Sequence, residues 1–356
     1  MTRERRNAMK IAIVGAGAIG GFLASRFART GHRLGVVERG AQLEAIRERG
    51  LTVIDADGHR ATTGPILATD RCDELGPQDV VVLGVKAYDL ERVAPDLPPL
   101  FGRETVVVTL QNGLPWWYFH RHGGELEGRR LVTADPQGAI EAHVEGRRIV
   151  GCVAYPAVDL VEPGVIRHVE GDRFPLGEPD GTISDRCQEL RDLLAEAGLR
   201  SRVLDDIRGE LWLKALGTLS LNPLSALTHA TMGEICSLAE TLALTRRMME
   251  EAEAVANRLG VRLRHPVERR LAGAQAVADH RTSMLQDVAR GRPLETEALM
   301  ATVIELARLV GLPCPRIEAI YAVVTLLERT YRRAGAAVRL LPEVAPVSAR
   351  VATGTR

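Results

Sequence analysis

The sequence predicts an α/β fold: an N-terminal Rossmann-type domain with an antiparallel extension of its sheet, followed by an all-α C-terminal domain. Three observations predict it: a glycine-rich turn between a strand and a helix near the N-terminus, buried strands that alternate with helices, and helical periodicity in the remainder of the chain. The 356 residues fit two domains better than one. We place these domains at 1–205 and 206–334, with a loosely ordered tail at 335–356.

The glycine-rich turn lies in Lys10–Gly21, KIAIVGAGAIGG, where an apolar strand precedes glycines spaced G-x-G-x-x-G. The first glycine allows a tight turn, the second lets a pyrophosphate approach the backbone, and the third lets the helix pack on the strand. In such a site the phosphates lie at the N-terminus of the helix. The pattern therefore predicts a dinucleotide-binding site. Its predicted residues are Gly15, Ala16, Gly17, Ala18, Ile19 and Gly20.

The end of the second strand bears on the choice of cofactor. Arg33–Glu38 ends about 20 residues after the glycines, where this fold places the residue that contacts the adenosine ribose. The carboxylate of Glu38 favours NAD by accepting from the ribose 2′-hydroxyl, whereas Arg39 favours NADP by binding a 2′-phosphate. Both residues are present, so these two positions leave both cofactors open.

Polar residues follow two further buried strands, Asp79–Val85 and Thr105–Leu110. Lys86 follows the first and Asn112 the second, and ligands bind beyond the carboxyl ends of the strands in an open α/β sheet. We expect both on the ligand side, the alternatives being a solvated lysine and a turn asparagine. The aromatic loop 116–119, Trp-Trp-Tyr-Phe, either covers a ligand or plugs the junction with the second domain.

Between residues 131 and 205 the pattern changes to short strands, which we interpret as the antiparallel extension of the sheet. The predicted strands are Arg148–Ala154, Val165–Val169, Arg173–Leu176 and Arg202–Leu204, with a helix at Ser184–Ala197. Helical patterns follow Asp206. The predicted helices are Glu210–Pro223, Leu238–Leu259, Pro266–Ala289, Leu294–Val310 and Pro315–Arg332.

Composition excludes several classes of protein. Lys+Arg and Asp+Glu are both 46, which argues against a nucleic-acid surface or a polybasic membrane anchor. No run reaches the roughly 18 apolar residues of a membrane span. The basic N-terminus is interpreted as a short extension before the first strand and not as a signal peptide. Five scattered cysteines without a C-x-x-C pattern predict a reduced, cytoplasmic protein without a metal site.

The helix predicted at Glu210–Pro223 is apolar apart from one stripe. At about 100° per residue, Lys214, Thr218 and Asn222 continue the side that Glu210 begins. Such a stripe is either a solvated edge or the floor of a site. In the second case an apolar cleft lowers the pKa of a lysine to about 7–8, which suits proton donation at neutral pH.

The chain resembles the ketopantoate reductase (2-dehydropantoate 2-reductase) family from about Lys10 to Arg332. The resemblance rests on the glycine pattern, Lys86-Ala87, Asn112-Gly113, E-L-W-x-K before N-P-L in the Glu210–Pro223 run, S-M-L-Q-D from Ser283, and Glu295. It implies a Rossmann domain and a helical domain with the active site in the cleft between them. The implied reaction is reduction of a 2-oxo acid with NADPH.

The resemblance also implies roles for individual residues. Lys214 is expected to be the general acid that protonates the ketone oxygen, and Glu295 the carboxylate that orients substrate and Lys214. Arg39 matches the family's 2′-phosphate-binding arginine, which favours NADPH, while Glu38 keeps NADH open. The other expected contacts are Asn222, Ser283, Thr218 and Asn112 to substrate, Asn112 also to the nicotinamide end, and Lys86 as a cation on the cofactor side.

Several positions depart from the family pattern. Thr218, Met300 and Arg316-Ile317 stand where the family has asparagine, and the aromatic loop 116–119 is not the usual sequel to Asn112-Gly113. Because the missing amides lie toward the substrate end, the reaction type is better supported than the substrate. Three functions remain open: reduction of 2-dehydropantoate, reduction of a different 2-oxo acid or carbonyl, and non-catalytic sensing of NADP(H). The sequence also leaves a homodimer open.

Overall fold

The computed structural model describes residues 8–277 and 279–340, so most of the predicted tail, 341–356, lies outside the described residues. The strands are β1 (Lys10–Val14), β2 (Arg33–Val37), β3 (Thr52–Ile54), β4 (Arg60–Thr62), β5 (Leu67–Thr69), β6 (Gln78–Leu83), β7 (Phe101–Thr109), β8 (Ile149–Cys152), β9 (Ala157–Glu162), β10 (Val165–Glu170) and β11 (Leu176–Gly177). The α-helices are α1 (Ala18–Phe27), α2 (Gly40–Arg49), α3 (Ala87–Val93), α4 (Ala139–His143), α5 (Asp185–Glu196), α6 (Ile207–Thr228), α7 (Met232–Ser237), α8 (Ala239–Arg258), α9 (Val267–Ala276), α10 (Ser283–Ala289), α11 (Thr302–Leu309) and α12 (Pro315–Arg333).

A seven-stranded sheet forms the centre of the N-terminal part, in the order β11-β8-β7-β6-β1-β2-β5. Its strands run parallel, except that β11 pairs antiparallel with β8. Parallel strands need covered faces and apolar side chains on both sides, as in β1, where all residues after Lys10 are buried. The arrangement confirms the predicted α/β class followed by helices, and β11 supplies an antiparallel extension.

The extension differs from the prediction in its membership. β8 is parallel to β7, and β10 belongs to a separate four-stranded sheet, β4-β3-β10-β9, in which it pairs parallel with β3. The segment 202–204 is not a strand and makes a single bridge from Val203 to Leu176. A strand-like sequence pattern indicates that a segment is extended but does not identify the strand with which it pairs. The predicted sheet membership was therefore wrong.

The helical part also differs from the prediction at one break. Pro266–Ala289 was expected as one helix, but α9 ends at Ala276 and α10 begins at Ser283. Thr282 caps α10, because its hydroxyl accepts from the backbone N–H of Leu285 at 3.2 Å. The break positions Ser283 at a helix N-terminus that faces the sheet.

The cores of the two parts are continuous. Successive residues of β1 point to opposite faces of the sheet, so Ile11 and Ile13 pack under one face. Ala12 and Val14 pack on the other face, in a cluster that continues into the helices through fully buried Trp212 of α6. This shared core holds α6 against the carboxyl edge of the sheet. No helix within residues 8–277 and 279–340 is long and apolar enough to cross a membrane.

The aromatic loop 116–119 lies inside this shared core. Its four side chains are buried, and the indole N–H of Trp212 donates to the hydroxyl of Tyr118 at 2.7 Å. Trp117 donates to the hydroxyl of Thr109 at 3.0 Å. Of the two interpretations offered by the sequence, the structure supports the hydrophobic plug. All five cysteines are buried free thiols.

Candidate active site

A cleft of about 1210 Å³ separates the carboxyl edge of the sheet from the helices. The glycine turn and the loops after β6 and β7 form one wall, and α6, α9 and the start of α10 form the other. The predicted site residues that line it are Gly15, Gly17, Ala18, Ile19, Glu38, Arg39, Lys86, Asn112, Lys214, Thr218, Asn222, Ser283 and Glu295. Residues far apart in the chain therefore meet at one place. Ala16 and Gly20 lie behind this wall and do not line the cleft.

The geometry of the turn matches the three tasks predicted for its glycines. Gly15 has φ +88°, which other L-residues rarely adopt. A Cβ on Gly20 would lie 1.9 Å from the carbonyl oxygen of Gly15, so the helix approaches the strand too closely for a side chain. A Cβ on Gly17 would meet nothing within 4 Å, which leaves space beside the turn for a ligand group.

Two further features fit a nicotinamide dinucleotide. The buried Oε1 of Gln111, a residue of the cleft wall, has no hydrogen-bond partner in the described part of the chain, so it is an acceptor available to an amide group of a ligand. Arg39 is exposed at the cleft, at the end of β2 where the adenosine ribose binds in this fold. The glycine turn thus suits the pyrophosphate of such a cofactor. Gln111 suits its carboxamide, and Arg39 suits its ribose end.

The carboxylate of Glu38 is engaged by the protein's own backbone. Its Oε2 accepts from the N–H of Ala16 at 2.6 Å, and its Oε1 accepts from the N–H of Arg39 at 2.9 Å. Ala16, predicted as a residue of the dinucleotide-binding turn, therefore uses its N–H inside the protein. Glu38 closes the turn, and a ribose hydroxyl would compete with these two bonds for its oxygens.

Lys214 projects from α6 into the cleft and not into bulk solvent. The helix begins at the cap residue Asp206, whose side chain accepts from the N–H of Gly209 at 2.7 Å. The ammonium of Lys214 donates to Asn112 Oδ1 at 2.7 Å and to the carbonyl oxygen of Ala154 at 2.8 Å. Burial lowers the pKa of Lys214 to about 8, against the opposing effect of Glu295.

Glu295 contacts Lys214 through Asn112 and not directly. Its Oε2 accepts from Asn112 Nδ2 at 3.0 Å and from the ammonium of Lys86 at 2.8 Å. The amide of Asn112 thus bridges the two residues, because its oxygen accepts from Lys214. An orienting effect of Glu295 on Lys214 would therefore have to act through this amide.

Lys86 connects the two walls of the cleft. Besides Glu295, its ammonium lies 3.3 Å from Asp287 Oδ2. Although burial opposes it, the two carboxylates raise the pKa of Lys86, and its ammonium helps to lower the pKa of buried Glu295. Burial raises the pKa of Asp287 despite Lys86. Lys86 was expected on the cofactor side, whereas here it forms an ion pair with the helical wall.

The remaining predicted residues belong to the helical wall of the cleft. The hydroxyl of Thr218 bonds to its own helix, at 3.3 Å from the carbonyl oxygen of Lys214, so it lacks the reach of the expected asparagine. Asn222 is 8% exposed, and Ser283 is exposed at the start of α10. Both line the cleft.

Sequence reasoning gave no role to three groups in or beside the cleft. Asp287, which pairs with Lys86, belongs to the S-M-L-Q-D motif, but the motif alone did not indicate this contact. The carbonyl of Ala154 carries no side-chain signal at all. Arg270 of α9 lines the cleft beside α6, and nothing in the pattern of its helix distinguished it from the surface arginines.

The fold and the cleft define a dinucleotide-dependent oxidoreductase whose cleft holds the ammonium of Lys214. The family model "Ketopantoate reductase PanE/ApbA" matches residues 11–123, and "Ketopantoate reductase PanE/ApbA C terminal" matches 206–328. The chain belongs to the ketopantoate reductase family, whose members use a nicotinamide dinucleotide.

Individual relatives span nearly the whole chain. A Mesorhizobium japonicum protein named 2-dehydropantoate 2-reductase is 51% identical over 320 residues, covering 90% of this chain and 98% of the relative. A crystal structure from Ralstonia solanacearum has a TM-score of 0.86 at 40% identity, covering 91% of this chain and 99% of that one. The 2-dehydropantoate 2-reductase of Geobacter metallireducens has a TM-score of 0.78 at 29% identity, covering 90% and 99%.

Proposed function

We propose that the protein reduces 2-dehydropantoate to (R)-pantoate with NADPH and with Lys214 as general acid. One observation carries the proposal: the ammonium of Lys214 lies inside the cleft, fixed by Asn112 and Ala154, opposite the glycine turn. The relative from Mesorhizobium japonicum, half identical to this chain, bears the name of this activity. We further propose that 1–205 binds the cofactor, that 206–334 supplies the substrate side, and that the enzyme is cytoplasmic.

The chemistry follows from the charges in the cleft. When bound, the dinucleotide supplies a hydride to the carbonyl carbon. The carbonyl oxygen then gains negative charge, and the ammonium of Lys214 stabilises that charge and donates its proton to the oxygen. Because the pKa of Lys214 is about 8, this residue is protonated in most molecules at pH 7. It also releases its proton more readily than an ordinary lysine does.

The other residues hold this lysine and the substrate in place. Asn112 accepts from Lys214 and is fixed in turn by Glu295, so the direction of the ammonium is set before substrate binds. We assign Asn222, Ser283 and Thr218 to the substrate pocket. Since Thr218 and Met300 replace amides of the family pattern, a different 2-oxo acid with a more apolar chain is the second candidate substrate.

A substrate panel tests the proposal directly. We expect the purified protein to oxidise NADPH with 2-dehydropantoate at a kcat/KM at least about ten times that for branched or aromatic 2-oxo acids, since one methylene in a pocket is worth about 10-fold or more. The absorbance of NADPH at its nicotinamide band gives the rates. If a branched or aromatic acid is reduced faster, the second candidate substrate replaces the first.

Arg39 decides the preference for NADPH. Replacing it with methionine is expected to raise the KM for NADPH about 30-fold and to leave the KM for NADH within about twofold, because only the 2′-phosphate needs the guanidinium. Steady-state rates with both nucleotides provide the measurement, and Arg29→Met, another exposed arginine outside the cleft, provides the control. Equal changes in the KM values for NADPH and NADH would mean that Arg39 does not bind the 2′-phosphate.

A further inference from the structure

Arg270 presents to the cleft a guanidinium that has no hydrogen-bond partner in the described part of the chain. It projects from α9, its Nε is buried, and this atom has no hydrogen-bond partner among residues 8–277 and 279–340. No carboxylate of that part of the chain lies within 4 Å of it to form an ion pair. A buried charge is normally paired, because removing it from water costs several kcal/mol.

The carboxylate whose charge acts on Arg270 is already engaged. Glu210, at the start of the polar stripe on α6, accepts from the hydroxyl of Tyr155 at 2.7 Å. Its charge acts on Arg270 at longer range, and burial still lowers the pKa of the Arg270 guanidinium. A second cation, Arg173, lies over the ring of Tyr155 at 4.6 Å. This end of the cleft therefore holds more positive charge than the protein compensates locally.

Gly217 brings Arg270 close to the reaction centre. A Cβ on Gly217 would lie 2.5 Å from Nη2 of Arg270, so the guanidinium rests on the surface of α6 where a side chain is missing. Gly217 is three residues after Lys214, and residues three apart on a helix are neighbours about 5–6 Å apart. Arg270 also lowers the pKa of Lys214, as a nearby like charge does. The two cations thus border the same part of the cleft.

We propose that Arg270 binds the carboxylate of the 2-oxo acid while Lys214 faces its ketone oxygen. A 2-oxo acid carries these two groups on adjacent carbons, so it requires two cations side by side, one of which can donate a proton. The planar fork of arginine fits a carboxylate with two parallel hydrogen bonds, and it does not compete as a proton donor. The inference rests on the proposed function and adds the residue that selects acids over neutral ketones.

Oxamate and oxamide provide the test, because oxamate mimics a 2-oxo acid but is not reduced, and oxamide lacks the charge. Calorimetry with the NADPH-loaded enzyme is expected to show oxamate binding about 100-fold weaker in Arg270→Met and about 10-fold weaker in Arg270→Lys. Oxamide affinity is expected to stay within about twofold in both variants. Arg269→Met, the exposed neighbour on the same helix, is the matched control and should bind oxamate as the wild type does.

Gly217→Ala gives an independent test that keeps the arginine. Alanine favours the helix, so folding is preserved, but its methyl group displaces the end of Arg270. We expect weaker oxamate binding and unchanged oxamide binding. Wild-type oxamate affinity in Arg270→Met, or an equal loss for oxamate and oxamide, would overturn the proposal.

The outcomes also separate this proposal from the proposed function. If oxamate binding depends on Arg270 but 2-dehydropantoate is not reduced, the carboxylate site stands and the proposed substrate is wrong. If 2-dehydropantoate is reduced with the same KM by Arg270→Met and by the wild type, the reaction stands and the role of Arg270 is wrong.

Discussion

Replacing Lys214 with methionine is expected to lower kcat for 2-oxo acid reduction by about 1,000-fold, within the range that general acid catalysis contributes. Methionine keeps much of the length and apolar character of the side chain but has no proton to give. The charge that develops on the carbonyl oxygen then lacks its nearest stabilising group. Steady-state rates at saturating NADPH measure the effect.

The pH dependence of the reaction tests the same role of Lys214 as proton donor. The acid form of Lys214 in the free enzyme decreases above its pKa of about 8, so wild-type kcat/KM for the 2-oxo acid should fall about tenfold per pH unit beyond that value. Oxidation of the hydroxy acid needs the neutral amine as base, so its kcat/KM should rise about tenfold per pH unit below that value and level off above it. Lys214→Met should retain NADPH binding, measured by fluorescence titration, and should lose both pH profiles.

Lys10 provides the matched control for this experiment. It is an exposed lysine at the start of β1, so Lys10→Met should leave kcat and its pH profile unchanged. Wild-type turnover in Lys214→Met would eliminate the proton-donor role. Absence of turnover by the wild type on every carbonyl tested would favour an NADP(H)-sensing protein.

Replacing Glu295 with glutamine is expected to lower kcat about 500-fold and the free energy of unfolding by about 3 kcal/mol, because breaking a buried charged pair costs about 3–5 kcal/mol. Glutamine has the same shape but no charge, so Lys86 keeps only Asp287, at 3.3 Å. Asn112 then donates to a neutral amide in place of a carboxylate, so it holds the Lys214 ammonium less firmly.

Urea unfolding of the protein and steady-state kinetics provide the two readouts. Glu297 offers a control two residues further along the chain: it is exposed and accepts from the hydroxyl of Tyr321 at 2.7 Å. Glu297→Gln should change stability by less than about 0.5 kcal/mol and leave kcat unaltered. If Glu295→Gln loses stability but keeps kcat, the carboxylate holds the two walls together and does not position Lys214.

The sequence predicted those features that local pattern determines. The glycine spacing predicted the turn, and the structure shows the positive φ expected of Gly15 and the close approach to Gly15 expected of Gly20. Apolar runs located the parallel strands, and the i, i+4 stripe put Lys214 on the same side of α6 as Thr218 and Asn222, which the structure shows to be the cleft side. These features depend on residues close together in the chain. The periodicity of a helix or strand determines on which face of the element such residues lie.

Features made by distant residues could not be predicted. The bond from Lys214 to Asn112 spans 102 residues, and the bond from Lys86 to Glu295 spans 209. Helical periodicity could not distinguish Arg270, which faces the cleft, from its exposed neighbour Arg269. The pairing of β10 with β3 was missed for the same reason, since both segments have the short mixed pattern of a half-covered strand.

The cleft contains two of the three lysines in a chain with 46 strongly basic residues. Arginine supplies the rest, and a guanidinium does not release its proton under conditions in which proteins stay folded. Positive charge can therefore be spread over the molecule without adding groups that exchange hydrogen ions near neutrality. The two carboxylates keep Lys86 protonated. Of the two lysines in the cleft, only Lys214 can therefore release its proton near neutral pH.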